Sequence, residues 1–311
     1  MATLRFNNFS LLLVLFASLV VATSCGGQSR NALFIFGGSW NDVGNNNYME
    51  TPFKTNFLPY GEAFFKNATR RASDGRLFPD FIGNELLEYV FLLTAAFAKL
   101  PLIPPYPSPD KSDFRNGVNF ASAGAGVLTH TRVGMVYDRP YNSTKPFRVS
   151  GKVPKTEICD AKTKMLLSKT VYMFSIGSAD YITFATHNPT VLPSYKREEY
   201  VKMVIGNLTT EIHNLGGRKF GFSNLGDLGC SPFLRGIKEA KKNGSVGCMD
   251  EVTVLAKLHN QALNKALKKL EKKLQGFNYS VFDFYAATNE RVNHPSKYVG
   301  SKNGFDLINI D

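Results

Sequence analysis

Residues 31–47 read NALFIFGGSWNDVGNNN, and the class of fold follows from how this stretch begins. Asn31 to Phe36 is a short apolar run broken by Gly37 and Gly38, the pattern of a buried strand entering a tight turn. Three later runs repeat it: Thr170 to Ile176 (TVYMFSI), stopped by Gly177; Lys219 to Leu225 (KFGFSNL); and Tyr279 to Phe284 (YSVFDF). Helical stretches separate them. Arg197 to Leu215 ends at Gly216-Gly217, and the Lys-rich segment from Asp250 places Leu255, Leu258, Ala262, Ala266, Leu270 and Leu274 at helical spacing, with its lysines mostly opposite. Strands alternating with helices of this length predict βαβ units, a parallel sheet and an α/β fold, with any ligand at the carboxyl ends of the strands.

Composition agrees with a globular chain. With 43% hydrophobic and 20% charged residues over 311 positions, long disorder, collagen and coiled coil are excluded. The formal charge is +12, with lysines thickest between Lys265 and Lys273; they read as a solvated helix face. No RNP, zinc-finger or helix-turn-helix signature accompanies them, so no nucleic-acid partner is expected. HExxH, a Cys/His ligand cluster, a P-loop and GxGxxG are all missing, so neither a metal nor a cofactor is expected.

Residues 1–24 read as a secretory signal: Arg5, the apolar core Leu11 to Ala22, then the small residues Ala22-Thr23-Ser24. The apolar run falls short of the roughly 18 to 20 residues that span a bilayer, so no transmembrane anchor is expected. Residues 25–311 then form a single domain. Export gives meaning to five N-x-S/T sequons, at Asn67, Asn142, Asn207, Asn243 and Asn278, and makes a disulfide between Cys230 and Cys248 the best pairing among four cysteines. Secretion is the default destination, with a vacuolar or endomembrane compartment as the alternative. The apolar stretch Leu86 to Leu102 reads as a buried helix.

Ser39 lies just after a strand end, where a hydroxyl is exposed at the sheet's carboxyl edge, a good place for a nucleophile. Gly-Gly-Ser is also a common turn, and it is not the GxSxG elbow. FGGSWNDVGNNNY resembles the opening block of the plant GDSL esterase/lipase family, and further blocks follow in order: DGRLFPDFI (Asp74 to Ile82), GVNFASAGAGVL (Gly117 to Leu128), NLGDLGCSP (Asn224 to Pro232), VFDFY, and NHPSKY (Asn293 to Tyr298). The resemblance implies the SGNH-type flavodoxin-like fold, a three-layer α/β/α sandwich on a parallel sheet, and hydrolysis of acyl or lipid esters through a serine. It places the nucleophile on Ser39 and the oxyanion-hole glycine on Gly124.

Departures from the family pattern resemble those of its degenerate branch, which includes the epithiospecifier-modifier and myrosinase-associated proteins. The family's G-x-N-D block falls on Gly177-Ser178-Ala179-Asp180, so Ala179 stands where an asparagine amide would donate to the oxyanion. Gly38 replaces the aspartate before the serine, which is expected to loosen the turn. The family's D-x-x-H motif is not found, and none of the histidines (His130, His187, His213, His259, His294) has an Asp three residues before it. A serine without a base is scarcely nucleophilic, and a missing oxyanion donor costs a further factor of roughly 10² to 10³. The expectation is therefore a secreted, esterase-like glycoprotein, impaired or inactive and acting through protein binding. A working ester hydrolase using Ser39 is the alternative. The chain also reads as lacking a C-terminal family segment, with Leu86 to Leu102 as an insertion, the pattern of an altered splice form or gene model. A protein partner is expected over the face so exposed.

Overall fold

The computed structural model describes residues 32–80, 102–106, 116–129, 131, 170–186, 195–241 and 247–297. Five parallel strands form one sheet: β1 (Leu33–Gly37), β2 (Gly117–Asn119), β3 (Val171–Ser175), β4 (Lys219–Ser223) and β5 (Asn278–Phe282). Their order is β2-β1-β3-β4-β5, the doubly wound flavodoxin-like order, whose winding reverses between β1 and β3 and opens a crevice at that switch point. All four strand readings hold within two residues at each end; the last two each run two residues too far, and past the fourth strand Asp283 caps a helix. The three-residue β2 is an addition, too short to stand out as an apolar run.

Register explains why the inner strands are so aromatic. Phe34, Tyr172, Phe220 and Tyr279 align across β1, β3, β4 and β5, and Phe36, Phe174 and Phe222 form the next rung. Rings on adjacent strands meet at 5.8 Å (Phe34–Tyr172), 5.4 Å (Tyr172–Phe220), 4.9 Å (Phe36–Phe174) and 5.6 Å (Phe174–Phe222). Alternate residues Leu33, Ile35, Val171 and Met173 face the other side and cluster with Ile103 and the partly buried Phe78. A central parallel strand is buried on both faces, so β1 is apolar throughout.

Among the described residues the helices are α1 (Glu62–Phe65), α2 (Ser178–Thr186), α3 (Arg197–Leu215), α4 (Pro232–Lys241), α5 (Asp250–Lys273) and α6 (Phe284–Asn293). Helix α3 has the predicted bounds and stops where Gly216 turns left-handed at φ 64°. It lays Tyr200, Val201, Val204, Ile205, Leu208 and Ile212 on the aromatic face. Helix α5 packs beside it, but its seam is one row away from the predicted one. Val252, Leu255, Ala256, His259, Leu263, Leu267 and Leu270 are buried, whereas Leu258, Ala262, Ala266 and Leu274 are only partly covered. The small alanines at 262 and 266 made the two rows hard to tell apart by hydrophobicity alone. Asp250 and Glu251 in the first turn and Lys272 and Lys273 in the last complement the helix dipole.

Cys230 and Cys248 are joined in a disulfide that closes an 18-residue span. Residues 1–24, Cys25, Cys159, Asn142, Asn243, His130, His187, Tyr298 and the stretch Leu86 to Leu102 lie outside the described residues, except Leu102, which is exposed. No helix among the described residues is long and apolar enough to cross a membrane.

Candidate active site

Strand β1 delivers Gly37 to the switch point, where backbones crowd. A Cβ at this position would lie 2.5 Å from the Ser175 carbonyl oxygen and 2.8 Å from Asn41 Nδ2, so only glycine fits. Gly38 N–H donates to the Ser175 carbonyl at 3.2 Å, and Ser39–Asn41 then form a 3-10 turn closed by Asn41 N–H to Gly38 O (3.1 Å) and Asp42 N–H to Ser39 O (3.2 Å). Ser39 is exposed, and its hydroxyl forms no hydrogen bond among the described residues.

Gly38 has an extended backbone. Its φ of −95° and ψ of −153° are ordinary extended values, and the turn is held by bonds that no side chain at 38 enters. A Cβ there would meet only Ser178 Oγ at 3.7 Å and the Ala125 carbonyl at 3.8 Å. Those two contacts show that the turn after β1, the loop after β2 and the start of α2 converge beside Ser39.

A buried polar network holds the first two together. Asp42 Oδ1 accepts the N–H groups of Gly44 (2.8 Å) and Asn45 (2.7 Å), while Oδ2 accepts that of Ala123 (2.8 Å). Asn45 Nδ2 donates to the carbonyls of Asn119 (2.9 Å) and Ala121 (2.7 Å), and Asn119 Nδ2 returns a bond to the Asn41 carbonyl (2.7 Å). Asn46 Nδ2 donates to the Ala123 carbonyl, and its Oδ1 accepts the Ser122 hydroxyl. The loop so positioned carries Gly124, whose φ of 75° lies in the left-handed region that favours glycine. Sequence reasoning assigned none of Asp42, Asn45, Asn46 or Asn119 a role. The available signal was the run of asparagines directly after a glycine turn, residues that bond backbone groups locally.

Asp180 holds the far end of the same loop. Its carboxylate, fully buried, accepts the N–H groups of Val127 (2.8 Å) and Leu128 (2.9 Å) and the hydroxyl of Thr131. Burial pushes the carboxyl groups of Asp180 and Asp42 above the usual range, outweighing the hydrogen bonds that favour their charged forms. Next to Asp180, the half-buried Ala179 offers only a methyl group. At the site's other side, Asn224 bonds Asp283 Oδ1 (2.8 Å) and accepts the Tyr285 N–H (2.9 Å), tying the end of β4 to α6.

His259 lies beneath this frame. It is 1% exposed and hydrogen-bonded through Nδ1 to the Tyr181 hydroxyl at 2.8 Å, and a Cβ on Gly177 would touch its Cε1 at 2.9 Å. Burial lowers its pKa from 6.5 to about 3, so it is a neutral core group and not a base for an exposed serine. Above pH 6.5 both folded and unfolded chains hold it neutral. As pH falls, the unfolded chain gains a proton that the folded one refuses until about 3, so stability drops by about 1.4 kcal/mol per pH unit across that window. Asp42 and Asp180, with raised pKa values, oppose it: their contribution is present in acid and fades as pH rises through their folded values. His259→Gln, which keeps a partner for Tyr181 but cannot titrate, is expected to remove this acid loss. Urea midpoints from pH 7 to 4 check it, and parallel curves for the two proteins would refute it.

Asn67, Asn207 and Asn278 all have exposed side chains. His294 is exposed just after α6, and His213 is exposed near the end of α3. Among the described residues no three His, Cys, Asp or Glu side chains cluster as a metal site would.

The sequence that builds this arrangement of an exposed serine, a glycine loop and a helix start is similar to those of known proteins. The GDSL-like Lipase/Acylhydrolase family matches residues 33–305. GDSL esterase/lipase 2 of Arabidopsis thaliana is 40% identical over 317 residues, covering 96% of this chain and 80% of that protein. GDSL lipase of Tanacetum cinerariifolium is 42% identical over 304 residues, covering 95% and 75%. Inactive GDSL esterase/lipase-like protein 25 of Arabidopsis thaliana is 33% identical over 265 residues, covering 84% of this chain and 56% of that protein.

Proposed function

Because the chain belongs to the GDSL-like lipase/acylhydrolase family, we propose that it is an esterase-like glycoprotein of the secretory pathway whose Ser39 site turns over carboxylic esters poorly or not at all. The observation that carries this reading is Ala179. Tetrahedral intermediates of acyl transfer need donors aimed at the developing oxyanion, and at this position the side chain has no N–H to give. The Gly124 backbone is left to serve the oxyanion without it. Sugars on Asn67, Asn142, Asn207, Asn243 and Asn278 and a protein partner belong to the same reading, as does membership of the family's degenerate branch.

The second reading, a working hydrolase of acyl or lipid esters with Ser39 as nucleophile, is favoured by the intact network around Asp42, which keeps the serine turn and the Gly124 loop in register. The two separate in one assay. Glycosylated protein and its Ser39→Ala variant, both shown to be folded, are compared on p-nitrophenyl acetate. Equal rates within about twofold are expected. Activity that vanishes with Ser39 would overturn the impaired reading and establish the second.

A further inference from the structure

Trp40 directly follows the candidate nucleophile and is the chain's one tryptophan. In the 3-10 turn successive side chains point about 120° apart. Asn41 takes the inward direction at 1% exposure, which leaves Ser39 and Trp40 on the open side, with Trp40 40% exposed. A tryptophan is largely buried on average, and the substantial part of Trp40 left open lies beside the candidate nucleophile.

The indole is not loose. Its ring meets that of Phe284 edge-to-face at 5.4 Å. Phe284 lies 6.3 Å from Phe282, which stacks on Phe78 at 5.7 Å. Phe284 opens α6, and the backbone on either side of it is pinned: Asp283 Oδ1 accepts the Ala286 N–H and the Asn224 amide, while Asn224 Oδ1 accepts the Tyr285 N–H. A pre-positioned aromatic shelf therefore starts at the residue after Ser39 and runs toward β5. A shelf of this kind recognises a planar ring, by stacking or edge contacts, more strongly than a flexible alkyl chain of similar area.

We propose that Trp40 and Phe284 form the substrate-contacting shelf of the Ser39 site and select esters that carry an aromatic ring. This rests on the reading of Ser39 as the ester site, but it concerns binding and does not require turnover. Because Trp40 is the sole tryptophan, its fluorescence reports on this position alone.

The test titrates the Ser39→Ala protein, which cannot consume ligand through that hydroxyl, with benzyl acetate and separately with hexyl acetate, following Trp40 emission. Saturable change with benzyl acetate at about fivefold lower concentration than with hexyl acetate is expected. Phe284→Leu, which keeps an apolar side chain, is expected to erase the preference while the circular dichroism spectrum stays unchanged. Equal affinity for the two esters, or emission indifferent to both, overturns the proposal. The turnover comparison of parent and Ser39→Ala is read separately. Selective binding without turnover leaves the shelf standing and removes the hydrolase reading, whereas Ser39-dependent turnover without ring selectivity does the reverse.

Discussion

Ala179→Asn is expected to bring out Ser39-dependent ester hydrolysis, raising kcat by up to about 10² to 10³-fold over the parent chain, the usual worth of one oxyanion donor in a site whose nucleophile is activated. The substitution restores an amide at the second residue of α2, where the side chain is half-buried and the first helical turn tolerates asparagine. Its N–H meets charge that develops only in the transition state, so KM should stay within about twofold while kcat moves. The control is Ala179→Asn combined with Ser39→Ala, which should return to background. Stopped assays on p-nitrophenyl acetate with both variants decide the matter. A folded Ala179→Asn protein with the parent's rate would mean that the missing donor is not what limits the site, and that activation of the Ser39 hydroxyl is.

Asp42→Ala is expected to destabilise the fold by about 3 to 5 kcal/mol. It strips the acceptors from three backbone N–H groups, those of Gly44, Asn45 and Ala123, and each buried unpaired donor costs about 1 to 3 kcal/mol. Removing a costly buried carboxylate offsets part of that sum. Since domains are stable by about 5 to 15 kcal/mol, this variant stands near the edge of folding, and Asp42→Asn gives the graded version. Asparagine keeps an oxygen for Gly44 and Asn45 but turns an NH₂ toward the Ala123 N–H. The serine turn survives while its tie to the Gly124 loop is lost, at about 1 to 3 kcal/mol. Urea unfolding of both variants checks the order. If Asp42→Asn is as stable as the parent, the Ala123 bond does not hold the two loops together.

Much of the architecture is legible along the chain because burial on both sheet faces demands unbroken apolar runs. LFIF, VYMF and FGF stand out for that reason, and the glycines that end them mark where backbones crowd or turn. The serine's place after the first run was readable in the same way. Less was readable at β2, whose three residues give too short a run, and at α5, where alanines blur which row faces inward. Nor could the string show that Gly38 takes ordinary backbone angles and that its N–H is tied to Ser175, far along the chain.

The sequence by itself determined the parallel α/β class, since that depends on residue type and spacing within each segment, while Ser39 as candidate nucleophile and the missing amide at Ala179 came from the likeness of its motifs to the family's. Tertiary structure alone decided that Asp42 and Asn45 clamp the loop of Gly124, that Asp180 anchors its far end, that His259 is a neutral core group and that Trp40 leans on Phe284. The reason is physical: these are bonds and contacts between residues roughly 50 to 240 positions apart, and chain distance carries no trace of them until the sheet brings the strand ends together.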